Sequence, residues 1–434
     1  MPAPIAVRVA AAVMTIAADT AILDTPLVRR RDWQTILLIG AAHSCSHFFQ
    51  LVLPSLYIPL GAEFGLDFAA LGGLVSVFYV VSGMGQASSG FVVDRIGARP
   101  VLWFGLGCFV ASGLLIGLAN GYAMLVLAAA LGGVGNSVFH PVDYSIMNHR
   151  VSPARLGHAF SVHGLTGNLG WALTPVFITT LTLLAGWRVA AFGAAALVAA
   201  VLALTVLGRG LLGDAAAPRG TAPAATAAAQ PSESVWQTLR TLLSRPALWG
   251  AFLFFACSSI ALSSVQSYTI PLLDALYGLS RVVASSALSG YMVASAIGIA
   301  AGGFLVSATP RTERVVMIAL ILAGVLLVIL SMGWVPPSLA APVIALAGFC
   351  AGVAGPSRDM LIRRVAPKGA TGSVYGLVYS GMDVGASLGP LGFGLLLDAG
   401  LAHGPWIGAG VAFAVAALLA QWIAVQARRA PVVA

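Results

Sequence analysis

Charge is what this sequence lacks most. Only 8% of its 434 residues are Asp, Glu, Lys or Arg, and Lys368 is its sole lysine. A soluble domain carries about 25% charged residues. A chain this poor in charge cannot cover a water-facing surface, so its outer solvent must be lipid. Cysteine is scarce too. Cys45, Cys108, Cys257 and Cys350 each lie in an apolar run at no metal-ligand spacing, and read as buried free thiols. No Gly-x4-Gly-Lys-Ser/Thr occurs, so ATP is not an energy source within the chain. No serine stands in a nucleophile-elbow context, and the histidines and acids lack metalloprotease spacing. Neither an enzyme nor a cofactor is expected. The net charge of +8 does not signify nucleic acid, because the basic residues sit one to four at a time between apolar runs.

What is present is apolar sequence, 59% of the chain, with 50 glycines that let membrane helices approach closely. A spanning helix needs about 20 apolar residues. Runs of that kind predict twelve spans, at 33–60, 68–93, 98–119, 121–148, 155–185, 187–208, 246–275, 281–307, 313–333, 338–364, 370–398 and 404–426. The expected fold is an all-α membrane protein, with twelve transmembrane helices in two six-helix pseudo-symmetric bundles, 33–208 and 246–426. Residues 209–245 hold Asp214, Pro218, Arg219, Pro223 and Pro231 among alanines and read as a solvated linker. Residues 1–32 and 427–434 read as tails. Met1–Ala21 is Ala-rich without a strong basic start, a weak match to a secretory signal; Met14 is an alternative start.

Basic residues give the orientation. Arg29, Arg30, Arg31, Arg95, Arg99, Arg150, Arg155, the linker arginines, Arg311, Arg314, Arg363, Arg364, Lys368, Arg428 and Arg429 share one side. Only Arg188 and Arg281 lie on the other. Both termini and the linker are therefore expected in the cytoplasm, and the chain in the cell inner membrane.

The halves repeat. Pro141, Gly157, Asn168, Gly170 and Pro175 map onto Pro356, Gly372, Asp383, Gly385 and Pro390 by one constant offset, 215. His43, His47 and Gln50 map by 216 onto Ser259, Ser263 and Gln266. Duplicated halves are a signature of transporters, which bind their substrate between the halves near the bilayer midplane.

Gly90-Phe-Val-Val-Asp94-Arg95-Ile-Gly97-Ala-Arg99 follows the second span. Gly90 suits close helix contact, Gly97 a tight turn, and Arg95 and Arg99 hold the loop inside. The motif resembles the signature loop of the major facilitator superfamily, and that resemblance covers nearly the whole helical chain. It implies that Asp94 latches onto the N-terminus of the eleventh span, where exposed amides favour an anion. The second-half counterpart has Ser307 in place of the acid. Within the superfamily, Gly133-Val-Gly135-Asn136-Ser137-Val138-Phe139-His140-Pro141, continuing to Gly164, Gly167, Asn168 and Gly170, is similar to the fosmidomycin-resistance branch. That branch usually carries an acid directly after His-Pro; here Val142 intervenes before Asp143. The fifth-span antiporter pattern Gly-Pro is Thr174-Pro175 here.

Polar residues inside a membrane are costly and mark function. Asp383, Asp143 and His140 are the candidates for proton coupling. His47, Gln50, Asn136, Asn168, Gln266, Arg358 and Tyr379 are the candidates for substrate binding. His43, His47, Gln50 and Pro54 share one face of the first span, and His163 joins Asn168 on the fifth. Arg358 cannot give up its proton; it either binds an anion or pairs with Asp143 or Asp359. Cys45 points away from the His43/His47 face, so no metal set is read there. The expected function is alternating-access transport of a small organic solute, anionic or drug-like, by proton-coupled efflux. The partners would be the solute, protons and the bilayer, with the chain acting as a monomer. Proton-symport uptake of an organic acid, and a membrane sensor that binds without flux, are the alternatives.

Overall fold

The computed structural model describes residues 25–213, 246–309, 311–365 and 371–429. Residues 1–24, 214–245 of the expected linker, Lys368 and 430–434 lie outside the described residues. Sixteen α-helices and no strand occur among the described residues. The first half holds α1 (Pro26–Gln50), α2 (Val52–Ser55), α3 (Tyr57–Phe64), α4 (Phe68–Ile96), α5 (Ala98–Gly117), α6 (Tyr122–Asn136), α7 (Phe139–Arg150), α8 (Pro153–Ala185), α9 (Trp187–Leu207) and α10 (Arg209–Leu212). The second holds α11 (Pro246–Tyr277), α12 (Arg281–Ala308), α13 (Thr312–Ser331), α14 (Pro337–Val365), α15 (Thr371–Asp398) and α16 (Gly404–Arg429).

Prolines explain where helices outnumber spans. A proline lacks an N–H and its ring crowds the carbonyl four residues back. Pro54 and Pro59 break the first span at Leu51 and Leu56, giving α1, α2 and α3. Pro141 breaks the fourth span between α6 and α7, and frees the carbonyl of Ser137. The Ser89 hydroxyl on α4 donates to that oxygen at 3.1 Å, so the break carries no orphaned acceptor.

Among the described residues, ten helices are long and apolar enough to cross a membrane. The first expected span, diluted by His43, His47 and Gln50, falls outside that set.

The first helix starts earlier than expected. Thr25 caps it by accepting from Val28 N at 3.3 Å, and Pro26 takes the first turn. Residues 26–32, expected in the tail, therefore belong to α1. Asp32 there is buried and accepts from Arg155 Nε at 2.9 Å and Ser152 Oγ at 2.5 Å, tying α1 to the start of α8. Arg150 donates to Gly210 O at 2.9 Å and Leu211 O at 3.2 Å. The first residues of the expected linker are thus docked on the first half as α10.

The repeat has a structural reason. A Cβ on Gly170 of α8 would strike Ser44 O of α1, and one on Gly385 of α15 would strike Ala256 O of α11. In each half the glycine lets the fifth helix lie directly on the first. Between halves, α4 packs on α15 and α8 on α12.

Candidate functional site

Two polar walls and one seam make up the site. The first wall is built by α1, α4, α6, α7 and α8. Gln50 is its hub: Trp171 Nε1 donates to its Oε1 at 2.8 Å and Tyr79 OH at 3.3 Å. Gln50 Nε2 donates to Asn136 Oδ1 at 3.1 Å, which also accepts from Ser46 Oγ at 2.7 Å. Asn136 Nδ2 passes a bond to Ser82 Oγ at 2.8 Å. Four side chains around one amide pair fix its orientation, as a satisfied polar network does. The His47 ring lies 4.2 Å from Trp171, continuing this wall.

One turn nearer the linker end stands a second cluster. Asp143 Oδ2 lies 2.9 Å from His43 Nδ1 and 3.1 Å from His163 Nε2. The two imidazoles stack with centroids 3.5 Å apart, and His140 lies 5.5 Å from His43. Three helices, α1, α7 and α8, deliver these groups. The break before Pro141 turns α7 so that His140 and Asp143 meet the α1 histidines. Asp143 is wholly buried. Of the expected coupling residues, Asp143 and His140 therefore belong to this cluster, and Asp383 does not.

The opposing wall belongs to the second half. Arg358 Nε pairs with Asp359 Oδ1 at 2.9 Å, while Asp143 is engaged by His43 and His163. The Arg358 guanidinium lies 4.9 Å from the centroid of Phe255, and Phe255 packs at 4.6 Å on Tyr379. Tyr379 OH reaches Asp359 at 3.4 Å. Gln266 is buried, with its Nε2 unpartnered. Asn168 donates to Gly164 O of its own helix at 3.0 Å and stands outside the Gln50 network.

Asp383 lies on the seam between α4 and α15. A Cβ on Gly83 would stand 3.1 Å from Asp383 Cβ, and Tyr79 lies within electrostatic reach of the carboxylate. Among the described residues its carboxylate has no hydrogen-bond or ion-pair partner. It is half-buried.

The seam is sealed at the end away from the linker. Asp398, the last residue of α15, accepts from Phe68 N at 2.9 Å and Ala69 N at 2.7 Å, across the two halves. Asp67 accepts from Ala70 N at 2.7 Å. The first three amides of α4 are thus satisfied, two of them by the other half. Gly72 lies so close to Pro390 O that no Cβ would fit, and Tyr268 OH donates to the same oxygen. At the linker end a Cβ on Gly90 would meet nothing within 4 Å. Gly97 has φ +85°, as the expected tight turn requires. Asp94 and Arg95 are exposed, and among the described residues they make no hydrogen bond or ion pair. Arg99 lies 5.4 Å over Trp103.

Sequence reasoning left Asp398 out of the site. A signal for Asp398 existed. An acid at the C-terminus of its own helix opposes the helix dipole, so its place asks for a partner elsewhere.

The sequence model of the Major Facilitator Superfamily matches residues 38–280 and 258–433, covering both halves. The chain belongs to the Major Facilitator Superfamily. Membership makes this facilitator a multi-pass membrane protein and points to secondary transport of a small solute. It is 33% identical over 144 residues to the fosmidomycin resistance protein of Escherichia coli K12, covering 33% of this chain and 35% of that protein. It is 27% identical over 335 residues to a probable nitrate/nitrite transporter, NarK2, of Mycobacterium tuberculosis, covering 75% of this chain and 79% of that protein. The matches span only about a third of the length of the first three curated relatives, at 35%, 36% and 33%. A bacterial homologue of the human lysosomal transporter Spinster, solved inward-facing and unoccupied, superposes with TM-score 0.68 over 92% of this chain and 97% of that one, at 16% identity. That likeness concerns the fold alone.

Proposed function

We propose that this facilitator exports a small organic anion in exchange for protons, with the linker face in the cytoplasm of the cell and the chain acting as a monomer in the inner membrane. The observation that carries the reading is that Arg358 stands on one wall, ion-paired to Asp359, while Asp383 on the seam between the halves has no partner among the described residues. Arg358 keeps its charge at all times. It offers a fixed cation to an anion, with the Phe255 ring and Tyr379 beside it. His47, Gln50, Asn136 and Trp171 supply neutral donors and a flat apolar face on the opposite wall.

Asp383 is the proton carrier. It has no counter-cation, so its charge changes most at the seam itself. When protonated it lets α4 and α15 lie together; when ionised it draws water or a cation into the seam. Tyr79 links that seam to Gln50, and so to the solute wall. Asp94, at the linker end, meets the start of α15 when that end closes. Similarity over 144 residues to a fosmidomycin resistance protein supports the export reading.

Uptake is the second reading, and the longer match to the probable nitrate/nitrite transporter supports an anionic solute in either direction. The same Arg358 would then receive an anion from outside, with protons entering alongside it.

A proteoliposome flux assay with an imposed pH gradient tests both. The panel holds organic anions, phosphonates and nitrate, with wild type beside Asp383→Asn. Gradient-driven flux that is abolished in the variant supports the assignment, and its direction separates export from uptake. Gradient-driven flux that survives in the variant removes Asp383 as the carrier. Saturable binding without flux of any panel member would favour a sensor.

A further inference from the structure

The Asp143 cluster has more donors than the Gln50 wall needs. His43, His140 and His163 each bring one nitrogen to within 4.8 Å of the others. They come from three helices, α1, α7 and α8. Asp143 Oδ2 accepts from His43 Nδ1 at 2.9 Å and His163 Nε2 at 3.1 Å. A neutral imidazole that donates one N–H keeps a lone pair on its other nitrogen. A carboxylate that orients imidazoles in this way is the usual second layer of a histidine metal centre. Two polar atoms in the cluster are buried without a partner, Asp143 Oδ1 and His140 Nδ1. Orphaned polar atoms in a buried site call for an unseen partner.

We infer that His43, His140 and His163, oriented by Asp143, bind one divalent transition cation of the zinc class. Imidazole nitrogen suits zinc, cobalt and nickel, and does not suit magnesium or calcium. Donors around a tetrahedral zinc stand about 3.3 Å apart, given bonds of about 2.0 Å. Side-chain rotations on the order of 1 Å bring these nitrogens to that spacing. The site differs from the His43/Cys45/His47 set dismissed from sequence, because two of its three ligands come from other helices. All three ligands belong to one half. The ion therefore travels with that half as the halves rock, and clamps α1, α7 and α8 together. It is a resident ion rather than cargo, and the inference stands apart from the proton role of Asp383.

Cobalt reads the site directly. The full chain, purified in detergent and stripped with chelator, is titrated with Co²⁺ and followed by visible ligand-field absorption and equilibrium dialysis. One Co²⁺ per chain, displaced by Zn²⁺, is expected. His140→Gln should weaken binding at least tenfold, and Asp143→Asn by about 10- to 100-fold. His140→Cys should retain the ion and add a thiolate-to-cobalt charge-transfer band, which a merely structural histidine could not produce. His149→Gln, at an exposed ring bonded to Ser145 O, should change nothing. Metal-free melting of each variant checks folding. Absence of Co²⁺ retention in the wild type, or retention unchanged in His140→Gln/His163→Gln, would overturn the inference. Flux plays no part in these readouts, so failure here leaves the transport reading untouched.

Discussion

Removing the Asp398 carboxylate should open the end of the molecule that is sealed here. The side chain accepts two backbone amides of α4 at 2.9 and 2.7 Å, and it is the only charged group bridging the halves in the contacts described. Hydrogen bonds to a charged acceptor contribute about 1.5–3 kcal/mol each when well shielded. Asp398 is exposed, so the helix-terminus value of about 0.3–1 kcal/mol, rising to 2 in favourable geometry, is the better guide. With two bonds, about 1–2 kcal/mol should separate wild type from Asp398→Ala. One to two kcal/mol corresponds to a shift of about 5- to 30-fold in a two-state ratio. Only the sealed state contains the contact, so the whole effect falls on the balance between conformations. Spin labels at Ala62 and Ala402, one on each half, would report it by pulsed distance measurement, with native Cys257 and Cys350 replaced. The long-distance population should grow in Asp398→Ala and grow less in Asp398→Asn, which keeps one acceptor oxygen. Raising salt should move the wild type in the same direction, because an exposed charge is screened. An unchanged distance distribution in Asp398→Ala, at low salt, would refute the latch.

Other consequences follow from the same geometry. Gly72→Val should prevent closure at that end, at a cost of about 1–3 kcal/mol from overpacking against Pro390 O, and slow transport while leaving the chain folded; flux and melting together check this. Asp32→Ala should remove the Arg155 and Ser152 bonds that tie α1 to the start of α8 and lower stability by about 1–3 kcal/mol, read from thermal unfolding, with Asp32→Asn milder because Ser152 keeps an acceptor. Glu63 lies at the sealed end, where hydrogen bonds from Trp187 and Arg188 hold its pKa below the ordinary 4.5. A depressed carboxylate contributes stability that is present above the ordinary pKa and lost as pH falls through the folded one. The melting difference between wild type and Glu63→Gln should therefore be constant near neutral pH and vanish on acidification below that ordinary value. Gln50→Ala should unseat Asn136 and Trp171 together and raise KM with little loss of stability, about 1–3 kcal/mol of the missing bonds appearing in solute affinity.

Composition and hydropathy suffice to specify the architecture, because lipid leaves few choices. With 8% charge, twelve apolar runs and a 215-residue repeat, only a bundle of spanning helices can satisfy every backbone amide. The sequence also holds most of the site's inventory, since a histidine or acid within an apolar run stands out against its surroundings. Spacing along one helix placed His43, His47 and Gln50 on a shared face, and Gly97 at a turn. Tertiary structure alone decided who meets whom. Asp143 could have paired with Arg358, and only packing gave it to His43 and His163 while Arg358 took Asp359. Asn168 and Asp383 are repeat equivalents, yet one bonds its own helix and the other faces Gly83 across the seam. Asp398 reads in sequence as the last residue of the eleventh span and becomes a cap for a helix of the other half. Such pairings depend on helix rotation and on which half closes upon which. Those are set by close approach at Gly72, Gly170 and Gly385, over distances that no local pattern encodes.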